Sequence, residues 1–266
     1  MPTGASLSTT AQTIINIIMM MKRFFAAILL AGACTMAFGQ IERPKLVVGF
    51  VVDQMRWDYL YYYYDQYGEG GFKRLLREGF SCENTMINYV PTVTAIGHSS
   101  IYTGSVPALT GIAGNDFMVN GKPMYCVADS TVKSVGSNSK EGLMSPRNLL
   151  ATGIGDMLKV ATDYQAKVFG VALKDRASIL PAGHAANAAY WWDTSAGHFI
   201  TSTYYMNQLP EWVKKFNKTV QVKPGTDVKG VPDGVTKTFQ MAKAVLDNEH
   251  LGEGPVTDML AISISS

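Results

Sequence analysis

Residues 45–53 read KLVVGFVVD, an unbroken apolar run closed by an aspartate. Such a run has no polar face to turn to water, so it predicts a strand covered on both sides, as in a parallel sheet. Parallel strands need long return connections, and the sequence supplies helical patterns to make them. Residues 71–79 read as a short helix with glycine beyond its end. Ser145-Pro146 marks a helix start, a capping side chain followed by proline in the first turn, and that helix is expected to run to about Ala161. KVFGVALK (167–174) predicts another strand. LPEWVKKFN and GVTKTFQMAKAVLDNEH predict helices, and VTDMLAISIS (256–265) a final strand. The expected fold class is therefore α/β with a mainly parallel sheet.

Two stretches resist that pattern. Residues 120–138 are polar and turn-rich, and residues 185–208 are aromatic and polar. Both are expected as insertions over one edge of the sheet. Tyr61 to Tyr64 form a run of four tyrosines, expected as a helix or turn over the sheet. They have no interleaved basic residues, so they do not make a base-stacking platform. The formal net charge is +2. Without Lys22 and Arg23 the basic residues match the 21 acidic ones, so no nucleic-acid partner is expected.

Residues 21–40, MKRFFAAILLAGACTMAFGQ, have a basic start, an apolar stretch and small residues at 37 and 39. That is the pattern of an export signal cleaved before Gln40, too short for a membrane span. Translation is expected to begin at Met21, with residues 1–20 an upstream extension. A lipoprotein signal ending at Cys34 is the alternative. The expected location is periplasmic or secreted, with no membrane span after signal removal. Cys82 and Cys126 are then left in an oxidising compartment, either bonded or as free thiols.

Ligands of parallel α/β sheets gather at the carboxyl ends of the strands. Asp53 directly follows the first run, as a metal ligand or as a helix cap. Thr92 and Thr94 lie in NYVPTVTAIGHSS, where a helix is expected to begin. Thr94 is an early helix residue, or a nucleophile if a base or a metal activates it. Asn115 falls in the turn GIAGND. Lys174 and Arg176 end KVFGVALK, and strand geometry would put both on one face, around an anion or on a solvated edge. His98, one helical turn after Thr94, reads as structural. His184 and His198 lie in loop-like segments, as packing residues or as ligands.

Taken together, VVDQMRWDYL, NYVPTVTAIGHSSIYTGSVPALTGIAGND, VALKDRASILPAGHAANAAYWWD and TSTYYMNQLPEWVKKFN resemble the alkaline phosphatase superfamily. Within it the chain resembles the exported, phosphate-irrepressible PafA-type enzymes, related to nucleotide pyrophosphatase/phosphodiesterases. The resemblance runs from about Lys45 to the last residue. It implies a sheet sandwiched by helices and a phosphomonoesterase that uses two zinc ions on small-molecule phosphate monoesters. Thr94 matches the nucleophile that becomes phosphorylated. Asp53 matches a ligand of the zinc that also binds the nucleophile oxygen. Asn115 matches an amide that donates to a phosphate oxygen. Lys174 and Arg176 match a cationic pair that contacts the phosphate and favours monoesters over diesters.

The resemblance also implies further aspartate and histidine ligands beyond a strand like DMLAISISS. Two zinc ions need roughly six to eight donor atoms, and Asp53 and Thr94 supply two. Residues 40–266 are therefore expected to be the N-terminal part of a catalytic domain that is incomplete at its C-terminus. On that expectation the chain alone is inactive and short of zinc. A phosphodiesterase of the same superfamily and a truncated non-enzyme are the alternatives.

Overall fold

The structure is a computed structural model that describes residues 13–14, 16–26 and 43–265. The chain divides into two compact units, residues 1–43 and 44–266. In the first unit, the described residues 16–26 are helical. The expected signal, residues 21–39, falls within this unit, and its residues 27–39, Cys34 among them, lie outside the described residues. Among the described residues no helix is long and apolar enough to cross a membrane.

The second unit begins with strand β1 (Leu46–Asp53) and the short helix α1 (Tyr59–Tyr62), followed by a 3-10 turn at Tyr64–Gln66. Helices α2 (Gly71–Glu78), α3 (Thr94–Thr103) and α4 (Pro107–Thr110) come next, then the hairpin β2 (Asp116–Val119) and β3 (Lys122–Tyr125). Strand β4 (Ser134–Val135) precedes helix α5 (Ile154–Ala161), strand β5 (Val168–Ala172) and helix α6 (Asp175–Ala182). Strands β6 (Ala188–Asp193) and β7 (His198–Ser202), helices α7 (Glu211–Val220) and α8 (Pro232–Asn248), and strand β8 (Asp258–Ser265) complete it.

The main sheet has six strands in the order β1-β8-β5-β6-β7-β4. The pairs β1–β8, β8–β5 and β5–β6 are parallel, and β6–β7 and β7–β4 are antiparallel. In register, Asp53 sits opposite Ser265, so both stand at the carboxyl ends of neighbouring strands. The mainly parallel α/β class expected from the sequence is the observed one.

Helices cover both faces of the sheet. On one face Val213 and Val220 of α7 and Met241, Ala242 and Val245 of α8 pack with Phe169, Tyr190, Trp192 and Leu260. On the other, Ala95 and Ile96 of α3 and Ile179 and Leu180 of α6 pack with Ala189, Trp191 and Ile200. Gly170 of β5 lets α6 lie close, because a Cβ there would collide with the carbonyl oxygen of Ser178.

Three expectations are corrected. Residues 185–208 are not an insertion over the sheet edge, because β6 and β7 belong to the main sheet and all six residues of β6 are buried. Alternate side chains of β6 reach opposite layers, so Trp191 and Trp192 each fill the space under a different helical layer. The polar stretch 120–138 is partly ordered pairing. Asn120 and Gly121, with φ of 50° and 74°, turn the β2–β3 hairpin, and β4 adds the last strand at the sheet edge.

The helix expected from Ser145 to Ala161 is two pieces. The Ser145 hydroxyl caps a 3-10 turn at Pro146–Asn148, accepting from the Arg147 N–H at 3.2 Å. The chain then leaves the helical path, with Leu150 N–H bonded to the Thr110 carbonyl at 2.8 Å. It re-enters a helix after the extended Gly153, whose N–H donates to Asp156 at 2.8 Å. In the tyrosine run, Tyr61 and Tyr62 end α1, Tyr64 begins the 3-10 turn and Tyr63 joins the two, with all four exposed. Cys82 is exposed, Cys126 is buried and both are free thiols, so no disulfide joins them.

Candidate active site

The carboxyl end of β1 carries Asp53, and the N-terminus of α3 carries Thr94 as its first helical residue. The two meet: Thr94 Oγ1 donates to Asp53 Oδ2 at 3.0 Å. Lys174 Nζ approaches the same oxygen at 3.1 Å and also donates to Ser265 Oγ at 2.8 Å. Ser265 in turn donates to Gln54 Oε1 at 2.9 Å. One carboxylate therefore holds a hydroxyl and an ammonium at the ends of two paired strands. Both Asp53 and Lys174 have side chains less than a fifth exposed, where a charge pair is screened far less than at the surface.

Asn115 lies beside this cluster. Its Oδ1 accepts the Ala95 N–H at 3.0 Å, meeting one of the donors a helix start leaves unpaired. What Asn115 can offer a ligand is therefore its Nδ2 hydrogens. Its carbonyl accepts the Cys126 N–H at 2.9 Å, which ties it to the end of the β2–β3 hairpin.

Lys174 and Arg176 do not share one face of a strand. Strand β5 ends at Ala172, Lys174 caps α6, and Arg176 lies in its first turn. Each cation has its own partner instead. Arg176 Nη1 donates to the Tyr125 hydroxyl at 2.9 Å, and that hydroxyl donates to Asp175 Oδ1. Burial works against the guanidinium's charge, but Tyr125 and Asp175 more than offset it, and its pKa stands above the ordinary value. The same burial, with Asp175 nearby, pushes the Cys126 thiol up to about 12, which removes it as a nucleophile near neutral pH.

His98 is 1% exposed and bridges two elements. Its Nδ1 lies 2.7 Å from the Thr94 carbonyl and its Nε2 2.8 Å from Ser263 Oγ on β8. Burial lowers its pKa, while the bond to Thr94 and the charge of Asp53 oppose that shift. It is a structural tie rather than a base for Thr94, because it meets the backbone and not the hydroxyl. His184 is likewise engaged, with Nε2 2.9 Å from the Leu149 carbonyl and Nδ1 3.4 Å from Asp156. His198 lies 3.1 Å from the Phe199 carbonyl, on the antiparallel side of the sheet.

Metal chemistry can be tested against these donors. Asp53 Oδ2 and Thr94 Oγ1, 3.0 Å apart, are both hard oxygen ligands with a spacing that one cation can bridge. A cationic group already stands beside that oxygen, the Lys174 ammonium. These two residues fit a metal as part of its ligand set. Among the described residues no group of three or more histidines, cysteines or acids is placed to complete one.

The family model described as type I phosphodiesterase / nucleotide pyrophosphatase matches residues 47–266. The chain belongs to this family. It is 48% identical over 301 aligned residues to a protein named calcium-transporting ATPase from Myroides odoratus, covering 91% of this chain and 55% of that one. It is 48% identical over 276 residues to alkaline phosphatase PhoV of Synechococcus elongatus, covering 85% and 50%. The solved structure of wild-type alkaline phosphatase PafA superposes with a TM-score of 0.79 at 45% identity, over 85% of this chain and 54% of that chain. A solved PafA variant substituted at a threonine, an asparagine, a lysine and an arginine superposes equally well. The chain thus spans about half the length of the relatives it matches.

In this family member the sequence reading picked out Asp53, Thr94, Asn115, Lys174 and Arg176. It missed Tyr125, Ser263 and Ser265, which hold Arg176, His98 and Lys174. The two serines carried a signal in their place at the carboxyl end of a parallel strand. Tyr125 carried none, since it lies in the stretch read as an insertion.

Proposed function

We propose that the chain carries the nucleophile and phosphate-binding half of a zinc-dependent phosphomonoesterase of the alkaline phosphatase type. The observation that carries this reading is the meeting of Thr94 Oγ1 and Lys174 Nζ on Asp53, at 3.0 and 3.1 Å. The reading is also supported by the solved PafA variant, whose substituted residue types are those of Thr94, Asn115, Lys174 and Arg176.

Thr94 Oγ1 attacks the phosphorus of a monoester in line with the departing alcohol. A P–O bond forms to Thr94, the P–O bond to the alcohol oxygen breaks, the hydroxyl proton passes to Asp53 Oδ2, its hydrogen-bond acceptor, and the departing alkoxide takes a proton from water to leave as the alcohol. Hydroxide from the water that gave up that proton then attacks the phosphorus from the side the alcohol left, the Thr94 Oγ1–P bond breaks, and the proton held on Asp53 returns to Oγ1, releasing inorganic phosphate and restoring the hydroxyl. Lys174, Arg176 and the Asn115 amide offset the charge on the non-bridging oxygens, which is greatest in the transition state. A monoester carries one more charged oxygen than a diester, so a second cation favours it. Asp53 and Thr94 would hold one zinc, which when bound would supply Lewis-acid charge at the reacting oxygens.

The localisation proposed is the periplasm or exterior, from the signal pattern at 21–39. The test is hydrolysis of a chromogenic phosphate monoester and the matching diester at alkaline pH, with zinc supplied, by the protein that contains this chain. The expected result is a monoester preference of about tenfold or more, the size of one added charge contact. A preference for the diester would instead assign the site to phosphodiester chemistry.

A further inference from the structure

The Asp175 carboxylate and the Arg176 guanidinium are neighbours but not a tight pair. Their closest approach, Asp175 Oδ1 to Nη1, is 3.8 Å, too long for a hydrogen bond. The Tyr125 hydroxyl stands between them, accepting from Nη1 at 2.9 Å and donating to Oδ1. The same Oδ1 also accepts the Arg176 backbone N–H at 2.6 Å, so Asp175 is fixed on the helix side. The centre of the tyrosine ring lies 6.0 Å from the guanidinium carbon.

The other edge of the guanidinium is unfinished. Nε is shut off from water with no hydrogen-bond partner, and Nη2 makes no hydrogen bond to a described residue. Nε–H and one Nη2–H point the same way, as the fork that takes two oxygens of a phosphate or carboxylate. A buried N–H left without a partner is uncommon and costs about 1–3 kcal/mol. An anion on Nη2 brings a second oxygen toward Nε and would remove that cost.

We infer that Tyr125 is a positioning residue: its hydroxyl keeps Arg176 from closing onto Asp175, so that the Nε/Nη2 edge is kept for a phosphate. The inference rests on the phosphate reading of the site and adds the device that keeps its arginine available. Without the hydroxyl, nothing separates carboxylate and guanidinium, and the direct ion pair would compete with the ligand. The competition should vanish when the carboxylate is also removed.

The test is calorimetric titration of the chain with inorganic phosphate, beside the nitrogen–proton signal of the Arg176 Nε–H without ligand. Tyr125→Phe is expected to weaken phosphate binding about tenfold and to shift the Nε–H signal. Tyr125→Phe with Asp175→Asn is expected to regain most of the affinity, which a merely structural role for the tyrosine would not produce. Thermal midpoints of all variants check that each is folded, and the unliganded Nε–H signal reads the arginine's contacts whether or not phosphate binds. Unchanged affinity and an unmoved Nε–H signal in Tyr125→Phe would overturn the inference, as would loss that Asp175→Asn fails to restore. If Arg176→Ala binds phosphate as well as the native chain, the phosphate reading itself fails and the inference falls with it.

Discussion

Thr94 and Asp53 stand 41 residues apart in sequence and 3.0 Å apart in the fold. A threonine in the first turn of a helix and an aspartate after a strand are ordinary capping positions, and neither alone announces chemistry. Only the shared hydrogen bond, with Lys174 on the same oxygen, does so. Thr94→Ala is expected to lower turnover by about 10³-fold or more, because it removes the hydroxyl that stands on Asp53 Oδ2. Wild-type rates in that variant would remove Thr94 from the mechanism. Arg176→Ala should cost about 10²-fold on monoesters, the scale of losing one transition-state donor, and much less on diesters. Equal losses on the two would undo the argument for monoester selectivity.

At this scale motif and resemblance singled out Thr94, Asn115, Lys174 and Arg176, and the structure brings Thr94 and Lys174 onto Asp53 and Asn115 onto the start of α3. The sequence was silent where function depends on who touches whom. Tyr125 is one residue of a hairpin, and its place between Asp175 and Arg176 exists only once β3 has folded beside α6.

Among the elements, the apolar runs were legible as strands β1, β5 and β8, but the cover on both faces expected for residues 45–53 is not observed, because β1 is an edge strand with no fully buried residue. Strand β6 was not legible, because AYWWD carries aromatic bulk and a terminal acid that resemble a surface loop. In the fold, Trp191 and Trp192 are 1% and 0% exposed and belong to opposite layers. Trp192→Ala is therefore expected to cost about 3–5 kcal/mol in chemical denaturation, as for other large core aromatics. A loss below about 1 kcal/mol would return β6 to the surface.

The break before α5 was also hidden, since Ser145-Pro146 begins a turn that the Leu150–Thr110 bond then redirects. Asp156 repairs that break. Burial would raise its pKa, but His184 and the N–H groups of Ala185 and Gly153 hold it below the ordinary carboxylate value. His184 is raised in turn, first by its bond to Asp156. A lowered acid gives stability that is present above its unfolded pKa and lost as pH falls through the folded one. A raised histidine gives stability that is present below its unfolded pKa and lost as pH rises through the folded one. The pair is thus strongest in mildly acidic solution, between those two limits. Asp156→Asn should flatten both limbs of the stability–pH curve and cost about 1–3 kcal/mol at its top, since the buried Gly153 N–H and the part-buried Ala185 N–H lose a charged acceptor. An unchanged curve would show that the pair contributes nothing.

For the whole molecule, order and exposure follow from one arrangement. The inner parallel strands β5 and β8 are largely buried, while β1, parallel but at the edge of the sheet, leaves Val48 and Phe50 at 51% and 40% exposure. An exposed apolar edge strand invites pairing with another chain. Val48→Lys is expected to reduce concentration-dependent association in light scattering, and no change would show that this edge is not sticky. The chain spans about half the length of its relatives, and a zinc site takes about four donors. If, as proposed, Asp53 and Thr94 are two of them, the described residues leave the set incomplete; the 266-residue chain is then expected to lose zinc on dialysis, and retention of two equivalents would contradict that. The charge balance and the α/β class were legible in the sequence at this scale. The packing of the mixed strands β6, β7 and β4 onto the parallel ones was not, because antiparallel pairing here depends on contacts that a linear pattern does not encode.

The central claim is that Thr94 becomes phosphorylated. The most direct measurement is acid quenching of the protein during turnover of a phosphate monoester in the presence of zinc, followed by mass analysis of the peptide carrying Thr94. The account predicts one phosphate on Thr94 that disappears as substrate is exhausted. Turnover with that peptide unmodified, or with the phosphate on another residue, would contradict it.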